Sequence, residues 1–297
     1  MEGGRYIVIQ NYDTGTPYGH NNERLVALED VNKYTLADYG FTVDAVKANH
    51  FGVQITDPRT GEHLPDQFYQ AKIEAAVAQV EKKLDIVILP RVVKEHHDFY
   101  SNDFNSHMYI HTYQKPILQV ENVRLEYGGS MVFNYPSRWW RVYNLHGHIQ
   151  MLPSIMLSGE QGPLNLAQAY SGYPMIAGVP HLTGSNHAPQ MFHVEYVAGM
   201  LPPERSGVFR NHELHPDLWE LVTKMVLKEA FQQWGRLIIG PGIAGMSMSI
   251  DGVAQSIDTT QSAMYGGASA EIVQLNEDIK ILFDGLKAHY GNNFGII

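Results

Sequence analysis

The strongest constraint on the fold is the unbroken segment from Ala268 to Tyr290. Ile272, Leu275, Ile279, Leu282, Leu286 and Tyr290 recur there at spacings of 3, 4, 3, 4 and 4. That period lays one apolar stripe along a single face of an α-helix, and such a stripe must be buried against something. It suits long helix-on-helix packing, within the chain or between subunits. The helix is expected to begin upstream near Asp258, with Gln261 three residues on as a capping box and Gly266–Gly267 as an interruption.

Two other segments carry the same period. Pro65 and Asp66 give a start signal, and the chain then runs QFYQAKIEAAVAQVEKKLD without Gly or Pro. Ile73, Val77, Val80 and Leu84 share one face, four alanines leave room for close backbone approach, and Lys82–Lys83 complement the C-terminal dipole. The spacing predicts a helix over 66–84, followed by IVILP as a buried strand or extended packed segment. In HPDLWELVTKMVLKEAFQQW, Pro216 takes the first helical position, with Asp217 and Glu220 in the first turn. Trp219, Val222, Val226, Ala230 and Trp234 lie along one face, which Leu218, Leu221 and Met225 widen.

The chain between these helices changes character. PILQVENVRLEY at 116–127 is extended, Gly128–Gly129 is a two-residue hairpin signal, and SMVFNYP is the return strand. RWWRVYNL, a Gly-containing corner and HIQMLP suggest a second pair, giving an antiparallel unit of roughly four strands. Residues 153–211 are rich in Gly, Pro, Asn and Tyr, with FHVEYVAGM their one evident ordered run. At the front, RYIVIQ reads as a short strand, 22–39 as weakly helical and 56–61 as a turn. The fold class is therefore α+β: a helical bundle from N- and C-terminal helices with a central antiparallel β-hairpin unit. Three regions follow: 1–115 with the 66–84 helix, a β-rich 116–211, and a helical 212–297 that packs with the N-terminal helix.

Composition narrows the function. Apolar residues make up 44% of the 297, enough for a sizeable core. No run reaches the ~18 apolar residues that span a bilayer, and the N-terminus does not read as a signal peptide. With no cysteine there can be no disulfide, thiolate metal site or cysteine nucleophile, which fits assembly in a cytoplasm. The formal net charge is −10, and it is unevenly spread. Residues 1–100 hold 10 basic and 15 acidic side chains, 101–211 six of each, and 212–297 five and ten. An acidic chain without a Lys/Arg cluster is poorly suited to gripping phosphate backbones.

Motifs of chemistry come close and fail on context. GPGIAG at 240–245 matches the dinucleotide pattern, yet Met246-Ser-Met-Ser-Ile-Asp-Gly is no helix start and only about 50 residues remain. Asp13-Thr14-Gly15 echoes the aspartic-protease triplet without a second carboxylate, and turn chemistry explains it better. No nucleophile elbow, P-loop or kinase signature is present. Among the fifteen histidines the close sets are His96–His97, His107/His111, His146/His148, His193/Glu195 and His212/His215. Positions i and i+2 on a strand share a face, so His146, His148 and His193 are the first place to look for a metal. Each pair reads better as hydrogen-bonded or surface histidine, and no catalytic, cofactor or metal residue is assigned. Trp139 and Trp140, flanked by Arg138 and Arg141, read as one core and one exposed residue, the exposed one an interface anchor rather than a platform for bases.

Taken together, these elements resemble the head-to-tail connector (adaptor or neck) proteins of tailed bacteriophages. DQFYQAKIEAAVAQVEKKLDIVILPR is similar to the adaptor helix and the extended segment after it. PILQVENVRLEYGG…RWWRVYNLHGHIQMLP is similar to the β-hairpin part, and MFHVEYVAGM, the 216–234 helix and GIAGMSMSIDGVAQSIDTTQSA look like virion structural proteins of large-genome phages. The resemblance covers about two-thirds of the chain. Small adaptors are helical bundles of roughly half this length, so the β-unit and 153–211 stand as elaborations. The resemblance implies a non-enzymatic virion protein assembled in the host cytoplasm, in a homo-oligomeric ring of about twelve beneath the portal protein. Tail or neck proteins would be its other partners, and DNA would pass through its channel without sequence-specific binding and with no membrane involved. Heterologous ring contacts need two different patches per subunit. The candidates are Trp139 and Trp140 in the β-unit and Ile279, Leu282 and Leu286 on the terminal helix. Alternatives are another virion or tail-completion structural protein, or a His/Glu metal-dependent enzyme.

Overall fold

A computed structural model describes residues 25–50, 55–56, 60–100, 109–127, 130–135, 137, 140–151, 187–204, 212–239, 245–250, 253–258 and 268–291. The chain is α+β. It divides into two compact units, one of residues up to Thr35 with Asp85–Leu214, the other of Leu36–Leu84 with the chain from His215 onward. The sequence suggested three consecutive regions; both units are instead discontinuous, because the chain crosses from one to the other at three points.

The helical unit contains α1 (Val43–Ala48), α2 (Asp66–Leu84), α3 (Pro216–Ile239) and α4 (Ala268–Tyr290). In α2 the buried set is Tyr69, Ile73, Ala76, Val77, Val80 and Leu84, the face that the apolar period marks. The helix stops at Asp85, whose φ of 55° is the left-handed conformation common after a helix end and one that Asp tolerates. Leu218, Leu221, Val222, Val226 and Ala230 of α3 are fully buried. On α4 the buried positions are Leu275, Phe283, Leu286 and Tyr290. Helix α3 packs on both α2 and α4. The Lys83 ammonium lies over the Phe283 ring at 4.6 Å, and Lys224 of α3 bonds Asp278 of α4 at 2.7 Å. Indole N–H groups fasten the loops: Trp219 donates to the Gly40 carbonyl and Trp234 to that of Thr56. The short α1 was not foreseen; its N-cap is Thr42, whose hydroxyl accepts from Ala45 N–H at 3.2 Å. Within 25–39 the only helix is a 3-10 turn at Val31–Lys33.

The β-rich unit holds β1 (Arg91–Tyr100), β2 (Tyr109–His111), β3 (Ile117–Tyr127), β4 (Ser130–Asn134), β5 (Trp140–Tyr143), β6 (His148–Met151) and β7 (His187–Ala198). The register Tyr127↔Ser130 leaves Gly128–Gly129 as the predicted two-residue connection. β5 and β6 form the second predicted pair, with Gly147 at φ +66° in the corner between them. The four strands do not make one sheet, however. β3 and β4 join β7 and β1 in the order β1-β7-β3-β4, while β5 and β6 join β2 in the order β2-β6-β5, all antiparallel. Inward positions of both sheets share one core, among them Val93, Val123, Leu125, Trp140, Val142, Ile149, Val194 and Tyr196. Between α2 and β1, Ile86, Val87 and Ile88 are buried and extended, held by Val87 N–H on the Lys115 carbonyl and Met200 N–H on the Ile88 carbonyl.

A second, smaller cluster covers part of the four-stranded sheet's outer face, where Val26 and Val31 pack on Leu118 and Val197. Gln119, 1% exposed, pins that strap: its Oε1 accepts Leu25 and Val26 N–H, and its amide donates to Val26 O and Glu121. A third sheet pairs β8 (Gly245–Ile250) with β9 (Val253–Asp258), between α3 and α4 in the chain. Asp258 therefore ends a strand and does not open the last helix. No helix among the described residues is long and apolar enough to cross a membrane.

Candidate functional site

The polar centre of the β-rich unit is Glu95 on β1. Val93, Glu95 and His97 share the inward face, so strand alternation carries a carboxylate into the core, where it is 6% exposed. It accepts the Tyr196 hydroxyl at 2.5 Å, Tyr113 N–H at 3.0 Å and the His97 Nε2 hydrogen at 2.9 Å. The Tyr196 oxygen also accepts Gln114 N–H at 3.0 Å. Burial, and then the bond to Glu95, push the Tyr196 phenol far above its ordinary range. The His97 ring stacks on Tyr113 at 4.7 Å. A carboxylate, a phenol and an imidazole could move a proton, yet Tyr196 is fully buried and Glu95 nearly so, and each already holds its neighbours. The trio instead ties the 112–114 turn to the sheet. Sequence reading missed it because Glu95 and Tyr196 lie 101 residues apart. The available signal was an acid at the buried parity of an alternating strand.

The histidines fall into separate groups. His148 on β6 meets His111 of β2 at 4.3 Å between ring centroids and His146 at 6.2 Å. Burial, together with the nearby His111, His146 and Lys115, lowers the His148 pKa to about 3. Across the larger sheet His96 faces His193 at 4.5 Å, in a row that continues to Arg124 and Asn134. Burial, then Arg124, lowers the His193 pKa. Glu195, expected as a companion ligand, bonds Lys94 at 2.8 Å instead. His148 and His193 thus belong to different sheets, and the described residues contain no group of three His, Asp or Glu able to hold a metal. His107 lies outside the described residues, and in the helical unit His215 meets the His289 ring at 5.0 Å.

Of the five candidate interface residues, Trp139 lies outside the described residues. Trp140 is 2% exposed in the core of the β-rich unit, its indole N–H without a hydrogen-bond partner among the described residues. Leu286 is likewise buried. Both are taken up by the chain's own packing, whereas Ile279 and Leu282 are half-buried. The most exposed large apolar side chains on α4 are Ile281 at 70% and Val273 at 57%, off the heptad-like stripe.

Both remaining motifs involve residues outside the described set. Asp13-Thr14-Gly15 lies wholly outside it, and so do 240–244; Gly245, the last glycine of GPGIAG, opens strand β8 rather than a helix. The helix that a dinucleotide turn requires is absent there. No protein-family model matches this chain, and no curated protein matches it.

Proposed function

We propose that this chain is a non-catalytic structural subunit of a tailed-bacteriophage virion, one copy in a head-to-tail adaptor ring beneath the portal. The observation that supports this reading is the helical unit. Helices α2, α3 and α4 pack together although the whole of Asp85–Leu214, in the other unit, separates α2 from α3 in the chain. A helical bundle is what the adaptor resemblance implies, with the β-rich unit as its elaboration.

The charge agrees with such a role. A surface carrying a net −10 repels the phosphate backbone and lets DNA slide, the opposite of a gripping basic groove. The ring is read as about twelve copies, in contact with the portal above and with tail or neck proteins below, in the finished virion.

Electron microscopy of the purified full-length chain, alone and mixed with portal rings, tests the reading. Closed rings with a central channel, free or seated on the portal, are the expected result. A chain that stays monomeric at high concentration and ignores the portal overturns it.

A further inference from the structure

The hairpin of β8 and β9 stands apart from the other sheets. Its register runs unbroken from Gly245↔Asp258 to Ile250↔Val253, and among the described residues no third strand joins it. A lone two-stranded ribbon is at best marginal in water. Proteins normally blunt exposed edges with charge, proline or a bulge. Here β8 contains no charged residue and no proline, β9 has only Asp258 at its far end, and the ladder has no bulge. Both outer edges have the chemistry of strands built to be extended.

We infer that this hairpin is the joint between copies of the chain: the outer edge of β8 in one copy pairs with the outer edge of β9 in the next. The inference rests on the ring reading above. A foreign strand added to one edge would leave the other edge bare, whereas a second copy fills both with a single repeated contact. Such a contact is heterologous, so it closes into a ring where the rotation permits. Hairpins side by side in the same orientation set β9 against the neighbour's β8 antiparallel, so the inter-copy ladder continues the one within each copy.

The register also identifies the backbone groups that make the joint. Two residues, Asp251 and Gly252, separate the closing pair Ile250↔Val253, the spacing of a tight hairpin whose closing pair is hydrogen-bonded. Hydrogen-bonded and non-bonded pairs alternate from there. The non-bonded pairs Ser249↔Ala254 and Ser247↔Ser256 therefore turn their N–H and C=O groups to the outer edges. Proline at such a position removes an outward donor and leaves the inner ladder intact.

Sedimentation velocity and electron microscopy on the full-length chain, Ser247→Pro and Ser256→Pro decide the matter, with Ser256→Lys as a second edge block that keeps the backbone unchanged. The expected result is rings for the wild type and monomers for the variants at the same concentration, with unchanged far-ultraviolet circular dichroism. Amide exchange supplies a readout free of folding effects: Ser247, Ser249, Ala254 and Ser256 slow on assembly of the wild type. Variants that still form rings overturn the joint and leave the ring reading standing. A wild type forming only dimers or open filaments, abolished in the variants, keeps the joint and overturns the ring. A wild type that is monomeric throughout overturns both.

Discussion

In the β-rich unit Glu95, Lys115, Gln119, Asn144, His148, His193 and Glu213 are all buried, whereas among the described residues of the helical unit the buried polar side chains are His50 and Thr223. The helical unit keeps its ion pairs at partly exposed positions, such as Lys72–Glu229 and Lys224–Asp278. The contrast follows from how each kind of element finds its partner. A helix presents a stripe several turns long, and stripe-on-stripe burial tolerates small slips. A strand that slips by one residue turns every side chain to the wrong face, so its register needs fixing. Here β1 and β3 both pair β7, across long stretches of chain, and Glu95 and Gln119 make hydrogen bonds that only one register satisfies.

Removing the Glu95 lock is the hardest test of that contrast. Glu95→Ala takes the acceptor from Tyr113 N–H and the partner from His97, and leaves the Tyr196 hydroxyl with the Gln114 carbonyl at 3.2 Å. Leaving an interior donor without its acceptor costs about 1–3 kcal/mol for each group so stranded. Guanidinium unfolding should show that loss, with hydrogen exchange across β1 and β7 speeding first. A cost under about 1 kcal/mol would mean that the network only decorates a register fixed by apolar packing.

The matching test in the helical unit is Leu218→Ala. Leu218 is fully buried, and truncating such a side chain costs about 2–5 kcal/mol through lost transfer energy and the cavity left behind. The same unfolding measurement reads it. The sharper comparison is the isosteric change: Leu218→Met should cost less than about 1.5 kcal/mol because volume is kept. Glu95→Gln should cost more, because one amide cannot accept from all three donors. Equal costs would remove the distinction between the units.

This difference also decides what could be read in advance. The bounds of α2, the C-terminal end of α4, the first residue of α3, and both hairpins were legible because each rests on local signals: an apolar period, Pro216, Gly128–Gly129 and the Gly147 corner. Strand β1 was not, since RVVKEHHDFY places a carboxylate and an imidazole at inward positions and so has no clean apolar alternation. The β8–β9 hairpin did carry a local signal, Asp251-Gly252, but its last residue, Asp258, also matches a capping box with Gln261, which points to a helix start there. Sheet membership was beyond reach, because pairing β7 with both β1 and β3 depends on contacts that no short window contains. The same holds for the candidate residues: helical period placed Leu286 on a buried face, and nothing local showed that Trp140 would be the core member of its pair.

Acid should weaken both units. The folded-state pKa of His148 is about 3, below the unfolded value of 6.5, so the unfolded chain takes up this proton first as pH falls. Its contribution to stability is whole above about pH 6.5 and drains away between there and about pH 3, by about 1.4 kcal/mol per pH unit. In the helical unit His50 shifts in the same direction, burial first and then Lys47 being the causes, with Tyr69 and Phe231 against its ring. Stability measured from pH 7 to 4 should fall for the wild type and flatten partly in His148→Gln. An unchanged slope would place the acid sensitivity elsewhere.

The smallest expected effect sits on α4. Ile281 is 70% exposed, so Ile281→Ser should change the stability of the isolated chain by less than about 0.5 kcal/mol. Ile279, two residues away and half-buried, should respond more: Ile279→Asp sets a charge against apolar neighbours and should lower the unfolding midpoint clearly. The pair separates packing within the chain from packing between copies. If assembly drives Ile281 out of water, its substitution leaves the monomer untouched and weakens the oligomer, which unfolding and sedimentation read independently. Equal losses of monomer stability at both positions would mean that α4 is buried around more of its circumference than the exposed Ile281 indicates, and the helix would have no face to offer a neighbour.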